Sequence, residues 1–228
     1  MTVIRGEGRP TTGYRDSSKS RLPSSTTITG HRKAAGLLMW AYNRGLDGKP
    51  LYEGEGSRDE AAEIGSIVHQ WIEDDLHGDD LTTYMVEESM YRKAEAGYAA
   101  YKKWKDQVGL EVLATEMPLV SEVHKFGGTL DCVAKVGGDV VLLDWKTSGG
   151  TYPDYIAQIA SYRELWNEYG ETPLQARVSE AYLLRVGKEF GDFHVHYWTN
   201  DILNLGWEWF LAAKKVYEMD KILKSVAS

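Results

Sequence analysis

The apolar residues of this chain change their period several times, and each change marks an element. From Ser57 to about His77, Ala61, Ile64, Ile67, Val68, Trp71, Ile72 and Leu76 recur at helical steps, with Asp59 and Glu60 in the first turn. That pattern predicts a long helix. Thr83 to about Val108 predicts a second one, with Tyr84, Tyr91 and Tyr98 at intervals of seven and Tyr101 and Trp104 close by. Such an aromatic stripe usually packs in a core, although rings of this kind also stack on bases. Glu111–Glu122 then reads as a strand. Two further strands follow, through Gly127-Gly128-Thr129-Leu130-Asp131 and through Val140–Ser148. They meet at Val136-Gly137-Gly138-Asp139-Val140, where paired glycines supply the positive φ of a tight hairpin. The second of the pair is apolar on both faces, as expected of a central strand.

The rest of the chain follows the same logic. Asp154 to Tyr169 predicts a helix, and Arg177–Gly187 and Phe190–Thr199 predict strands joined by a turn at Gly187-Lys188-Glu189. Asp201 to Val226 carries Trp207, Trp209, Phe210, Val216 and Ile222, too apolar for a free tail, so it predicts a closing helix packed on the core. Near the start, the hydroxyls of Pro23-Ser24-Ser25-Thr26-Thr27-Ile28 suit a cap, with Thr27 or Thr29 as N-cap of a helix running to about Asn43. The same hydroxyls suit phosphate contacts. The pattern as a whole predicts a mixed α/β or α+β domain containing an antiparallel hairpin.

Composition adds limits. The 228 residues suffice for one large domain, which the pattern places at 23–228, after a flexible basic segment at 1–22 rich in Gly, Ser, Thr and Arg. No apolar run is long enough to cross a bilayer and no signal-peptide pattern is present, which predicts no membrane partner and a cytoplasmic location. The single cysteine, Cys132, excludes an internal disulfide and a four-cysteine iron–sulfur cluster, and its strand position makes it a core residue. The net charge of −8 argues against a protein that coats nucleic acid. Charge is uneven, however: residues 1–33 carry seven basic and two acidic groups, a net of +5, which leaves −13 for the remainder.

The chemistry gathers around the hairpin. Asp144 and Lys146 stand at i and i+2 at the end of an apolar strand, so they share a face. Ionisable groups there are costly unless paired or bound to metal. Asp131, on the neighbouring strand, supplies a second carboxylate. Two carboxylates and a lysine around one point suit a hard divalent cation and the water it activates. Gln158 and Tyr162, at i and i+4, share one helix face. His194 and His196 point to one side of the last strand without a third ligand nearby, and read as structural.

In order, Gly65-Ser66-Ile67-Val68-His69, Gly128-Thr129-Leu130-Asp131, Asp144-Trp145-Lys146-Thr147-Ser148 and Gln158-Ile159-Ala160-Ser161-Tyr162 resemble the G-x-x-x-H, G-x-x-D, D-x-K and Q-x-x-x-Y motifs of the PD-(D/E)XK nuclease superfamily, in its RecB-like exonuclease branch. Pro23–Ile28 resembles the P-S-V-T-T-I opening of phage exonucleases and their mitochondrial genome-maintenance relatives. The resemblance implies a restriction-endonuclease-like α-β-β-β-α-β core with added N-terminal helices and a C-terminal helix. It implies a DNA exonuclease dependent on one or two Mg²⁺ or Mn²⁺ ions, acting on single-stranded or processed ends in replication, recombination or repair, with a helicase or recombination protein as a further partner. It assigns metal binding to Asp131, Asp144, His69 and the backbone carbonyl of Trp145, and catalysis to Lys146 with Asp131, Asp144 and Glu116. Thr147, Ser148, Gln158 and Tyr162 would contact substrate. Beside bound cations the pKa of Lys146 should fall, favouring a role as base. Two other expectations compete: a catalytically silent DNA-binding or assembly module of the same fold, and a structure-specific endonuclease.

Overall fold

The computed structural model describes residues 3–31, 35–52, 58–169, 177–186 and 192–227. The elements are β1 (Ile4–Arg5), α1 (Ser25–Gly30), α2 (Ala35–Leu46), α3 (Arg58–His77), α4 (Glu88–Val108), β2 (Glu111–Ser121), β3 (Phe126–Val136), β4 (Asp139–Thr147), α5 (Pro153–Tyr169), β5 (Glu180–Val186), β6 (Phe193–Trp198) and α6 (Asn200–Ala227). One six-stranded sheet runs β1-β2-β3-β4-β5-β6. The β1–β2 and β4–β5 pairs are parallel, and the other three are antiparallel. This is the mixed α/β architecture expected, with α4-β2-β3-β4-α5-β5 as its central run.

Apolar side chains fall into two layers. One joins Ile28 of α1, Ile159, Tyr162 and Leu165 of α5, and Leu203 and Phe210 of α6 to Leu130, Leu142 and Leu183 of the sheet. The other joins Val68, Trp71 and Ile72 of α3 and Ala94 and Tyr101 of α4 to Cys132, Leu143 and Trp145. β4 alternates between the layers, Leu142 into one and Leu143 into the other, which is why its sequence is apolar at both periods. The hairpin turns at Gly137 (φ 62°) and Gly138 (φ 99°), both in the region glycine enters freely.

Four boundaries differ from the sequence pattern. The cap of α1 is Ser24, whose Oγ accepts from Thr27 N at 3.0 Å, rather than Thr27 or Thr29. α4 begins at Glu88 rather than Thr83, because Thr82 is spent on α3: its N–H donates to Asp74 Oδ2 (2.7 Å) and its carbonyl accepts from Trp71 Nε1 (2.7 Å). That anchorage keeps 81–87 out of the helix. Tyr84, Tyr91 and Tyr98 then gather around Trp71 at 5.2–6.5 Å between ring centroids, so the stripe packs. Third, β5 and β6 are shorter than the apolar runs, and the Gly187-Lys188-Glu189 turn lies outside the described residues. Fourth, composition predicts a flexible segment at 1–22, and several of its described residues dock on the sheet. β1 pairs with β2, Leu22 N donates to Tyr14 O (2.9 Å), and Tyr14 is buried with its hydroxyl 2.8 Å from Thr129 Oγ1.

The closing helix packs on the core through Leu203, Gly206 and Phe210, as its pattern predicts. Cys132 is buried. His194 pairs with Asp192 (2.8 Å) and His196 meets Thr151 Oγ1 (2.9 Å), in keeping with structural roles. No described helix is long and apolar enough to cross a membrane.

Candidate active site

The site forms where a strand ladder stops. β3 and β4 pair from the hairpin up to Cys132 opposite Leu143, and the next step would set Asp131 opposite Asp144. Beyond that point β4 continues its pairing on the β5 side only, to Thr147 opposite Val186. Instead of a ladder bond, Trp145 N donates to the side chain of Asp131, to Oδ2 at 3.2 Å. On the far side, Thr115 opposite Cys132 and Met117 opposite Leu130 bracket Glu116 and Asp131 as facing residues. A row of three carboxylates, Glu116, Asp131 and Asp144, therefore crosses three adjacent strands.

Burial and mutual repulsion act on this row together. Asp144 has no exposed surface. Lys146 Nζ stands 2.6 Å from its Oδ2 as an ion pair, and its Oδ1 has no donor among the described residues. Burial, opposed by Lys146 and reinforced by Asp131, pushes the Asp144 carboxyl up to about 7. Burial, with Asp131, Glu73 and Asp144 adding to it, pushes Glu116 up to about 8. Asp131 is raised by burial as well, against the pull of Lys146 and the Trp145 N–H. Desolvation of the half-buried Lys146 favours its neutral form, yet Asp144 and Asp131 outweigh it and raise the pKa. In the protein alone Lys146 is thus an ammonium. The fall expected beside bound cations belongs to a site whose carboxylates those cations have neutralised. The ring of Tyr155 lies 5.9 Å beneath its Nζ.

Helices α3 and α5 complete the surroundings. Gly65 is the point where α3 touches β4: a Cβ there would stand 2.3 Å from Thr147 Oγ1. One turn on, His69 meets the Trp145 ring edge-on at 6.1 Å. Burial and the Lys146 charge lower its pKa to about 4, against Asp144 and the Trp145 backbone, so at neutral pH the imidazole is uncharged. On α5, Gln158 Nε2 donates to Tyr162 Oη at 2.7 Å, and Tyr162 lies over Gly128, whose missing Cβ would stand 2.6 Å from its Cε1. The adjacent Gly127 clears the ring of Tyr14 in the same way. The glycine pair thus seats one tyrosine from α5 and one from the N-terminal segment.

An open cleft of about 190 Å³ lies at the Glu116 and Asp131 end of the row, lined by these two and by Gly128, Thr129, Tyr162, Tyr14, Arg9 and Ser24–Thr26. Of the sequence-predicted residues, Glu116, Asp131 and Tyr162 line it, and Asp144, Lys146 and His69 stand close enough to perturb one another. The hydroxyl of Ser148 is turned to Gly150 O at 2.8 Å, and Thr147 packs on Gly65, so neither lines the cleft. Two residues escaped the sequence pattern. Glu73 follows His69 by one turn and adds its charge to Glu116 and Asp131, a relation written in the i, i+4 spacing. Tyr14 is the lone aromatic in a Gly- and Ser-rich stretch, and that isolation was its signal.

The donors present suit a hard divalent cation in kind: a buried and a half-buried carboxylate, a neutral imidazole and a backbone carbonyl. The unbonded Oδ1 of a fully buried Asp144 fits a cation ligand. Among the described residues, no three His, Cys, Asp or Glu side chains already close on one point.

No protein-family model and no curated protein sequence matches the chain. Solved structures do. A protein from Eubacterium rectale, provisionally named an exonuclease, superposes over 79% of this chain and 71% of its own, with a TM-score of 0.50 at 15% identity. LHK-Exo, solved with dAMP, covers 90% of this chain and 93% of its own at 16% identity and a TM-score of 0.41. A second structure of that alkaline exonuclease, from Laribacter hongkongensis, covers 78% and 90% at 15% identity and a TM-score of 0.35. The first of these carries the likeness: at that identity the chain shares the fold of an exonuclease-type structure.

Proposed function

We propose that this chain is a divalent-metal-dependent deoxyribonuclease that hydrolyses phosphodiester bonds from DNA ends. The observation that carries the proposal is Asp144, fully buried, with one oxygen unbonded and the other against Lys146, at the point where β3 and β4 part. A structural ion pair at that depth would satisfy both oxygens, because an unsatisfied buried polar atom costs about 1–3 kcal/mol. A site that must receive a cation and a phosphate keeps the vacancy.

Asp131, Asp144, His69 and the carbonyl of Trp145 would hold one or two Mg²⁺ or Mn²⁺ ions, which supply Lewis acidity and a water acidified enough to attack phosphorus. The remaining work falls to the chain. The Trp145 N–H fixes the Asp131 carboxylate at 3.2 Å, so that ligand is oriented before anything binds. Lys146, positive and within reach of Asp144, neutralises charge growing on the phosphate oxygens. With such ions bound, the attraction that raises its pKa would be weaker, and its amine would be able to take the proton of the attacking water. Glu116 adds a third carboxylate on the cleft wall, able to carry a proton at neutral pH. Gln158 and Tyr162 present polar edges to the strand, with Thr147 and Ser148 shaping the end of β4 behind them.

The test is digestion of end-labelled linear single-stranded, linear duplex and circular DNA with Mg²⁺ or Mn²⁺, with and without EDTA, for the wild type and for Lys146→Ala. Linear DNA should shorten, circles should survive, EDTA should stop the reaction, and Lys146→Ala should lose cleavage while still binding DNA. Cleavage of circles would redirect the proposal to an endonuclease. Full activity in Lys146→Ala would remove the mechanism.

A further inference from the structure

The N-terminal arm lies on β2 and ends over the cleft. Gly6 N donates to Thr115 O at 2.8 Å and Gly8 N to Glu116 O at 3.1 Å. Gly6 is pressed so close that a Cβ would stand 2.0 Å from the Glu116 carbonyl oxygen, so only glycine allows this approach. Glu116 itself holds φ +48°, costly for a residue with a side chain, and its carbonyl is the one the arm binds. Gly8, at φ +68°, turns the chain and delivers Arg9 to the cleft wall, beside Glu116, Asp131, Ser25, Thr26 and Tyr162.

Arg9 makes no ion pair and no side-chain hydrogen bond among the described residues. Arg5 and Arg15 of the same segment are engaged, Arg5 with Asp79 at 3.0 Å and Arg15 with the Lys19 carbonyl at 2.8 Å, while Arg21, also without such a partner among the described residues, does not line the cleft. Two carboxylates, Glu116 and Asp131, line the same cleft, yet Arg9 closes on neither of them. A guanidinium held at the mouth of an acidic cleft without a partner has its five donors free for a planar or tetrahedral oxyanion. It also offsets the repulsion that the carboxylate row would exert on an incoming polyanion.

We propose that Arg9 is a substrate-binding residue, which receives a backbone phosphate of the DNA strand while the bond to be cleaved lies at the carboxylate row. The proposal rests on the nuclease function above and adds a positioning group from a segment with no catalytic motif. It gives the arm a purpose: β1, Gly6 and Gly8 fix the height and direction from which Arg9 reaches the strand.

The test compares wild type, Arg9→Gln, Arg9→Lys and Arg5→Gln on a linear single-stranded oligonucleotide across a range of salt. Arg9→Gln should raise KM about tenfold or more with kcat within about twofold, because a ground-state phosphate contact is lost. Its plot of log kcat/KM against log salt should be shallower by about 0.7, the share of one phosphate on a single strand. Arg9→Lys should recover part of the KM, since the charge stays and the fork is lost. Arg5→Gln removes an arm charge already paired with Asp79 and should leave the slope unchanged. Equal thermal midpoints for wild type and Arg9→Gln show that the arm's backbone docking survives. An unchanged KM and slope in Arg9→Gln would overturn the proposal, as would the same slope change in Arg5→Gln or a fall in kcat alone. Should the wild type cleave nothing, the nuclease function fails separately. Binding of the labelled oligonucleotide to the same four proteins then tests Arg9 by the same change of slope.

Discussion

Gly65 and Thr147 offer the sharpest check on how the site is assembled. A methyl group at position 65 would stand 2.3 Å from Thr147 Oγ1, 3.4 Å from its Cβ and 3.8 Å from its Cγ2. The first distance is a clash, and the other two are tolerable contacts. Gly65→Ala should gain about 0.8–1 kcal/mol of helix propensity in the interior of α3. Against this stands an overpacking cost of about 1–3 kcal/mol in a contact between packed elements. The single variant should therefore lose roughly 0–2 kcal/mol. Thr147→Ala removes the clashing oxygen, and in that background Gly65→Ala should become stabilising by up to about 1 kcal/mol. The coupling energy of the cycle is then about 1–3 kcal/mol, well outside the roughly 0.5 kcal/mol within which independent sites add. Urea unfolding of the four proteins, compared at equal m, measures it. Additivity would refute the idea that this glycine exists to let α3 reach β4 and so to set His69 against Trp145.

Two further outcomes follow from the charge distribution. Glu116 has a folded-state pKa raised from 4.5 to about 8, so the folded protein holds its proton more tightly than the unfolded chain, and stability is lost as pH rises from about 4.5 to about 8. Glu116→Gln, measured in EDTA, should therefore unfold at higher denaturant than wild type above pH 8, by about 1–2 kcal/mol, with the gain vanishing near pH 4; a gain independent of pH would refute this. Asp75 shows the opposite sign. Its burial, which alone would raise the pKa, is outweighed by Lys102 and Lys105, each at 2.7 Å, so its pKa is lowered. Asp75→Asn should cost about 1–2 kcal/mol at pH 7, and the difference from wild type should shrink as pH falls below the ordinary Asp range of about 4 and through the folded pKa. A difference that persists at pH 2 would place the loss in packing rather than charge.

The order of elements was legible because each is declared locally. Alternation and glycines mark β3 and β4, and three- and four-residue spacing marks α3. The carboxylate row was legible only in part. Asp131 and Asp144 announce themselves as charges in apolar strands, but that they face one another follows from the hairpin register, which Gly137 and Gly138 set. The N-terminal segment defeated composition for a physical reason. Its polar residues signal a chain with little to bury, yet it docks through backbone N–H groups and one tyrosine, and backbone donors leave no mark in composition. The start of α4 failed similarly, since Thr82 is diverted by Asp74 and Trp71, eight and eleven residues back in the chain.

The same reasoning explains why the site stands where it does. A paired strand spends every N–H and C=O on its neighbours, so a polar site within a sheet needs a place where pairing ends. β4 meets that need at Asp144, still held by β5 on one side and released by β3 on the other. The released backbone does not go unsatisfied: the Trp145 N–H turns to Asp131. A ladder bond has been exchanged for a bond that orients a carboxylate, and the neighbouring carboxylate is left with an oxygen free. Across the sheet, β2 makes a comparable exchange, giving up ordinary backbone geometry at Glu116 and recovering support from the N-terminal arm through Gly8. Both departures from regular β-structure fall on the carboxylate row. Strain and open valence that meet on one row mark that row as a part of the fold shaped for something other than stability.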